Sequence, residues 1–175
     1  MNKKLNIGVI SCSVMAQLHM KAVIDHPNAE LYMICDINEA LLNETAAKYN
    51  ISRKTTDYRQ MLADPAVDAV IIVTPDQTHR EISVAALEAG KHVLCEKPMA
   101  LTLDDCKAMI DAAAKAKTKM MVGQICRYTP GFVAAKNLIE RGEIGELFFV
   151  ETEYAHDYAH IDVEWRLDPL RHGFL

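Results

Sequence analysis

The sequence lacks several features that would assign a protein to a class at once. Its 175 residues contain no apolar run of the roughly 18–20 residues that cross a bilayer, and the amino terminus lacks the apolar stretch of a signal peptide. The basic residues are scattered and the formal charge is −5, which disfavours the basic stripe of a nucleic-acid-binding protein. We therefore expect no membrane or nucleic-acid partner, and we predict a cytoplasmic location.

Paired cysteines and metal-binding spacings are also lacking. The five cysteines are widely spaced, without a C-x-x-C pair, and we expect them to be reduced and partly buried. His156, His160 and Asp162 form a local cluster whose histidine spacing would bind a metal on a helix. That stretch has no helix signal, so a polar loop, or a loop lining a cleft, is preferred. No metal site is predicted.

Strand-like apolar runs alternate with segments of helical period along most of the chain. This order predicts an α/β protein with a Rossmann-type, doubly wound parallel sheet. Residues 14–25 form the first predicted helix, with Val14, Leu18, Ala22 and Val23 on its buried side. Residues 38–49 form the second, with Ala40, Leu41, Thr45 and Ala46 buried. The predicted strands are 5–10, 31–35, 67–73, 92–95 and 119–122, and the other helices are 58–62, 78–88 and 102–116.

The pattern changes after Gly123. A helix is predicted over 130–141, and residues 147–154 alternate between two sets of side chains, as a strand with one solvated face does. We therefore predict two domains: a dinucleotide-binding domain, 1–124, and the start of an α+β domain with a predominantly antiparallel sheet, 125–175. The lone strand would expose a sheet edge, and pairing across a two-fold axis would cover it, so a homo-oligomer is expected.

The turn after the first strand has serine where a dinucleotide fingerprint has glycine. The G-x-G-x-x-G/A pattern requires glycine at Ser11 and Ser13, and only Ala16 fits it. The helix amino terminus still offers N–H groups to an anion, so the segment Ser11, Cys12, Ser13, Val14 and Met15 is a candidate pyrophosphate loop. A plain strand-to-helix turn is the alternative.

A carboxylate stands where a dinucleotide fold needs one. Asp36 follows the second strand, 20 residues after Ala16, which is the position of the residue that binds the adenosine ribose hydroxyls. A carboxylate there would repel a 2′-phosphate, so NAD is favoured over NADP. Asp36 is alternatively the N-cap of the following helix, and the two roles are compatible.

Several further motifs give the chain a resemblance to a known family. They are Ile7-Gly8-Val9-Ile10, Asp36, Thr74-Pro75 with His79, Glu96-Lys97-Pro98, Arg127-Tyr128, Ile144-Gly145-Glu146 and Trp165-Arg166. In this order they resemble the Gfo/Idh/MocA (glucose–fructose oxidoreductase / inositol dehydrogenase) family. The resemblance implies that Thr74, Pro75, His79 and Glu96 lie along the cofactor. Asp76 departs from the asparagine that is common there.

The resemblance also implies a chemistry. Lys97 would contact the reacting oxygen of the substrate, where an ammonium stabilises developing alkoxide charge. Arg127 would be a substrate or interdomain contact; a structural ion pair is the alternative. The implied reaction is hydride transfer between a nicotinamide cofactor and a sugar or cyclitol-like alcohol.

One part of the family pattern is not matched. The proton acceptor of the family is a histidine in an Asp-x-x-x-His pattern, expected just after Trp165-Arg166, and residues 169–175 do not contain it. The resemblance therefore predicts that this chain alone is inactive as a dehydrogenase. A non-catalytic dinucleotide-binding protein, or a pseudoenzyme that serves assembly, remains the alternative.

Overall fold

A parallel sheet of six strands forms the centre of the chain in a computed structural model, which describes residues 4–153 and residue 155. Its spatial order is β3-β2-β1-β4-β5-β6, and every neighbouring pair is parallel. This is the predicted doubly wound arrangement, with the order reversing between β1 and β4. The strands are β1 Leu5–Ile10, β2 Ala29–Cys35, β3 Lys54–Thr55, β4 Ala69–Ile72, β5 His92–Cys95 and β6 Met120–Val122.

Helices cover both faces of the sheet. They are α1 Val14–Asp25, α2 Glu39–Tyr49, α3 Tyr58–Ala63, α4 His79–Glu88, α5 Leu103–Lys115 and α6 Pro130–Glu140, with 3-10 turns at Asp76–Thr78 and Ile125–Tyr128. One apolar cluster joins the sheet to α1 and α2, and a second joins it to α3, α4 and α5. Successive side chains of β4 and of β5 enter different clusters, as the pleat requires.

The buried sides of the first two helices differ from the prediction. In α1, Val14 and Leu18 are 81% and 58% exposed, whereas Ala16, Met20 and Val23 are buried. The buried residues are spaced by four and three, so they form one face of the helix. In α2 the buried residues are Leu42, Thr45 and Ala46 rather than Ala40 and Leu41. Apolar residues occupy several faces of α1, so their spacing alone did not single out the side that meets the sheet.

The predicted strand over 147–154 is wrong for the residues that the structure describes. Residues 147–153 have no strand hydrogen bonds, and Phe148 and Phe149 are 97% and 69% exposed. A strand needs a partner for its backbone groups, and among residues 4–153 none reaches this segment. The antiparallel second sheet is thus not present in the described residues. His156, His160, Asp162, Trp165 and Arg166 lie outside them.

No helix in the described part of the chain is both long enough and apolar enough to cross a membrane. The described helices are instead amphipathic elements of the sheet fold or, in α6, a helix with all its residues exposed.

Gly8 is required by the packing of α3 against the centre of the sheet. A Cβ atom at Gly8 would overlap Sδ of Met61 and lie 3.2 Å from its Cγ, and Met61 is fully buried. We predict that Gly8→Ala lowers the free energy of unfolding by about 1–3 kcal/mol because the core must repack. Urea denaturation followed by circular dichroism measures it.

Gly131→Ala is the matched control for that substitution. A Cβ at Gly131, in α6, meets nothing within 4 Å, and alanine is the better helix former. The control should leave stability unchanged or raise it slightly. Equal stability of the Gly8→Ala variant and the wild type would contradict the packing account.

Candidate functional site

The candidate residues meet at the carboxyl end of the sheet, where β1 and β4 are neighbours. Open α/β sheets bind ligands in the crevice outside the strand ends at the point where the strand order reverses. The backbone pairing continues past the strands here: the Ser11 N–H donates to the Cys35 carbonyl at 2.7 Å, and the Glu96 N–H donates to the Ile72 carbonyl at 2.9 Å. The sheet therefore fixes the first residue of each loop.

The loop between β1 and α1 has one strained residue. Ser11 has φ = 110°, a backbone conformation that glycine adopts freely and other residues rarely do. Its Oγ accepts a hydrogen bond from the Ser13 N–H at 3.1 Å. Ser13 is the N-cap of α1, since its Oγ accepts from the Ala16 N–H, with a long donor–acceptor distance of 3.4 Å.

Asp36 holds the same loop from β2. One carboxylate oxygen accepts from the Cys12 N–H at 2.7 Å and the other from the Asn38 N–H at 2.8 Å. The N-cap role predicted for Asp36 is wrong, because the Asn38 side chain caps α2 by accepting from the Leu41 N–H. Asp36 thus lies beside the loop and fixes its backbone to the end of β2.

The loop side chains divide into buried and exposed ones. Cys12 is fully buried, and burial, followed by the charge of Asp36, raises the pKa of its thiol to about 11. Only its backbone is therefore available to a ligand. Val14 and Met15 are 81% and 49% exposed and lie in the first turn of α1.

His79 joins the loops after β4 and β5. Its ring is fully buried, with Nδ1 2.8 Å from the Pro98 carbonyl oxygen and Nε2 2.9 Å from the Thr74 carbonyl oxygen. A neutral imidazole donates to one of these oxygens and the imidazolium donates to both. The buried ring therefore connects the Thr74-Pro75 and Lys97-Pro98 turns through their backbone carbonyls and does not face the crevice.

Glu96 has a partner that the sequence analysis missed. His19 Nε2 lies 2.9 Å from Glu96 Oε1, and Glu96 Oε2 accepts from the Lys97 N–H at 2.9 Å. The hydrogen bond from His19 lowers the pKa of the Glu96 carboxyl, and the bond from the Lys97 N–H adds to this effect. A sequence signal existed, because His19 is three residues after the buried Ala16 and shares its side of α1.

Lys97 and Arg127 are both exposed, and neither makes an ion pair with a residue in the described ranges. Lys97 follows β5 and its peptide bond to Pro98 is cis. Arg127 lies in the 3-10 turn after β6. The structural ion pair considered for Arg127 is therefore not seen with any described residue. The described residues also contain no group of three metal-ligating side chains.

An apolar groove of about 410 Å³ lies elsewhere, on the face of the sheet that α1 only partly covers. Its sheet wall includes Ile7, Ile71, Leu94 and Met121. His19, Ala22 and Val23 of α1 form its other wall, so the groove lies between this helix and the sheet.

Known proteins carry the same fold and sequence pattern. The family model of an oxidoreductase family with an NAD-binding Rossmann fold, Gfo/Idh/MocA, matches residues 5–124. The chain belongs to this family. It is 34% identical to the levoglucosan dehydrogenase of Pseudarthrobacter phenanthrenivorans over 95% of its own length and 43% of that protein. It is also 34% identical to the inositol 2-dehydrogenase of Salmonella typhimurium, over 83% of the chain and 44% of that protein.

A solved structure has the same fold. A levoglucosan dehydrogenase in complex with NADH and levoglucosan superimposes with a TM-score of 0.77 at 36% identity, covering 82% of this chain and 41% of the other. The chain therefore spans about two fifths of the length of the relatives it matches.

The backbone of Ser11 generates a prediction on stability. We expect the Ser11→Gly variant to be more stable than Ser11→Ala by about 1 kcal/mol, because both remove the hydroxyl and only glycine is free of strain at this φ. Thermal or urea denaturation of the two variants measures the difference.

Ser52 supplies the matched pair for that comparison. It is exposed and its φ is not positive, so Ser52→Ala should be at least as stable as Ser52→Gly. If Ser11→Ala proved as stable as Ser11→Gly, the left-handed conformation of Ser11 would be disproved.

Proposed function

We propose that this chain binds NAD(H) in the crevice between the carboxyl ends of β1 and β4. The observation that carries the proposal is the convergence of the Ser11–Met15 loop, Asp36, Thr74-Pro75 and Glu96-Lys97 at the one point where the strand order reverses. The family membership and the relatives with NADH support it.

The loop has the donors that a pyrophosphate needs. The N–H groups of Cys12, Ser13 and Ala16 all lie in the turn at the amino terminus of α1, where the helix dipole favours an anion. Each of them now donates to a side-chain oxygen of Asp36, Ser11 or Ser13. A phosphate would exchange those acceptors for its own oxygens, so the serine side chains compete with the ligand and we expect a moderate affinity.

We assign Asp36 to the ribose of the adenosine half. Its carboxylate is part-exposed and already lies within hydrogen-bond distance of the loop backbone. Ile37 and Asn38 follow it without a positive charge. A 2′-phosphate would meet the negative charge of Asp36 with no adjacent cation, so we propose NAD rather than NADP as the cofactor.

We assign Lys97 to the reacting oxygen of the substrate. Thr74, Pro75 and Glu96 are assigned to the nicotinamide side of the cofactor, and the buried His79 supports their loops. Arg127 is assigned as a substrate or interdomain contact. When bound, the cofactor supplies the hydride acceptor or donor. The Lys97 ammonium would stabilise developing negative charge on a carbinol oxygen. For the whole protein we propose hydride transfer with a sugar or cyclitol-like alcohol, in keeping with the relatives named for levoglucosan and inositol. We further propose that residues 1–124 form the cofactor domain and that 125–175 begin the substrate domain.

Calorimetric titration with NADH and NADPH tests the cofactor assignment. We expect micromolar binding of NADH by the wild-type chain and at least about tenfold weaker binding of NADPH, which corresponds to ~1.4 kcal/mol. Asp36→Arg should weaken NADH binding by a similar factor, because the acceptor for the ribose hydroxyls is lost. The same variant should reduce or reverse the preference for NADH over NADPH, because arginine can bind the 2′-phosphate.

Asp111→Arg is the control for that titration, since Asp111 is an exposed residue of α5 that undergoes the same change of charge. It should bind both cofactors like the wild type. If a demonstrably folded chain bound neither cofactor, the dinucleotide proposal would fail and a degenerate scaffold that serves assembly would be favoured.

We also propose that the chain associates with itself through residues 147–150. Four consecutive apolar side chains are exposed there, with Phe148 almost fully so, and an apolar surface of this kind is typical of an interaction site. We expect sedimentation velocity to show a dimer or larger species that the double variant Phe148→Ser/Phe149→Ser reduces to a monomer.

Leu103→Ser provides the control, because Leu103 is 89% exposed at the start of α5, outside this segment. It should leave the sedimentation coefficient unchanged. A strictly monomeric wild-type chain at high concentration would contradict self-association.

A further inference from the structure

We propose that His19 is a positioning residue for Lys97, joining the helix that begins at the cofactor loop to the lysine at the end of β5. The inference deepens the proposed function and rests on it in one respect, which is that Lys97 faces the substrate.

Glu96 transmits the contact from His19 to Lys97. Its Oε1 lies 2.9 Å from His19 Nε2 and its Oε2 accepts from the backbone N–H of Lys97 at 2.9 Å. The side chains of His19 and Glu96 are only 21% and 13% exposed. Both carboxylate oxygens are therefore committed, and a charged acceptor makes both hydrogen bonds stronger than neutral ones.

Strand geometry places Glu96 on the side of α1. Leu94 packs into the apolar cluster of α1 and α2, whereas Cys95 enters the opposite one. Glu96, two residues after Leu94, returns to the first face. Gly123 of the neighbouring chain segment lies close to it, since a Cβ added to this glycine would be 3.4 Å from Glu96 Oε1.

Lys97 depends on its backbone for its direction. Its side chain is exposed and forms no salt bridge with a described residue, although its charge attracts the neighbouring Glu96 carboxylate. On its other side the Pro98 carbonyl is held by the buried His79 of α4. Lys97 thus stands between two histidine contacts that come from opposite faces of the sheet, and releasing one of them frees its backbone.

The helix gives this contact a path to the cofactor. Ser13 caps α1 and His19 is six residues further, about 9 Å along the axis at 1.5 Å per residue. A shift of α1 when its amino terminus engages a pyrophosphate would move His19 and, through Glu96, Lys97.

Amide hydrogen exchange of the full chain by NMR tests the positioning role without cofactor. His19→Leu removes the donor to Glu96, whereas His19→Gln keeps an N–H that can reach the carboxylate. We expect exchange at the Lys97 N–H to be about tenfold faster in His19→Leu and near the wild-type rate in His19→Gln. The buried β4 amides of Val70 and Ile72 should be unchanged in both variants.

His26→Leu is the matched control, because His26 is the exposed C-cap of the same helix. It should leave Lys97 exchange unchanged. Equal acceleration at Lys97, Val70 and Ile72 in His19→Leu would mean general destabilisation and would overturn the proposal, as would an unchanged rate at Lys97.

A second arm adds saturating NADH to the same samples. We expect the Lys97 amide resonance to shift in the wild type and in His19→Gln, and to shift less than half as far in His19→Leu. Absence of NADH binding by the wild type would overturn the proposed function and the coupling through α1, while the exchange rates would still decide whether His19 fixes the Lys97 backbone.

Discussion

The pairing of β1 with β4 is the constraint on which the rest of the site depends. These strands are neighbours in the sheet although β2 and β3 lie between them in sequence. Because the connection changes direction there, the loops after β1 and β4 diverge and leave a crevice. Backbone hydrogen bonds continue beyond the strands, from Val73 to Ile10 and from Glu96 to Ile72. They place each loop at a fixed height above the sheet.

In the loop between β1 and α1, side-chain hydrogen bonds hold a conformation that glycine would adopt without strain. The first two glycine positions of the fingerprint are Ser11 and Ser13, and the structure accommodates them by strain at Ser11 and by N-capping at Ser13. Asp36 takes up the remaining N–H at Cys12. The loop is thus held by its own side chains, and under the proposed function its affinity for a pyrophosphate depends on how readily these internal hydrogen bonds are exchanged.

The predicted order of elements and the parallel sheet are confirmed. They could be predicted because a wholly apolar run indicates a strand buried on both faces, and the helical period between such runs indicates the helices that cover it. The two-residue strand β3 was too short to give a pattern. The prediction of which side of α1 is buried was wrong because Val14 and Leu18 are apolar yet exposed. The strand over 147–154 was wrong for the described residues because alternation indicates a suitable strand but supplies no partner.

The sequence by itself determined the chemistry available at the strand ends: a carboxylate after β2, a Thr-Pro turn after β4, a Glu-Lys-Pro turn after β5 and a short loop before α1. These groups can be identified from the sequence because each one directly follows a strand that the apolar pattern predicts. Only the tertiary structure decided which of these groups touch. The contacts of His19 with Glu96 and of His79 with Thr74 and Pro98 join residues from different elements. Local sequence does not specify such contacts, because the direction of a side chain depends on how its helix packs on the sheet.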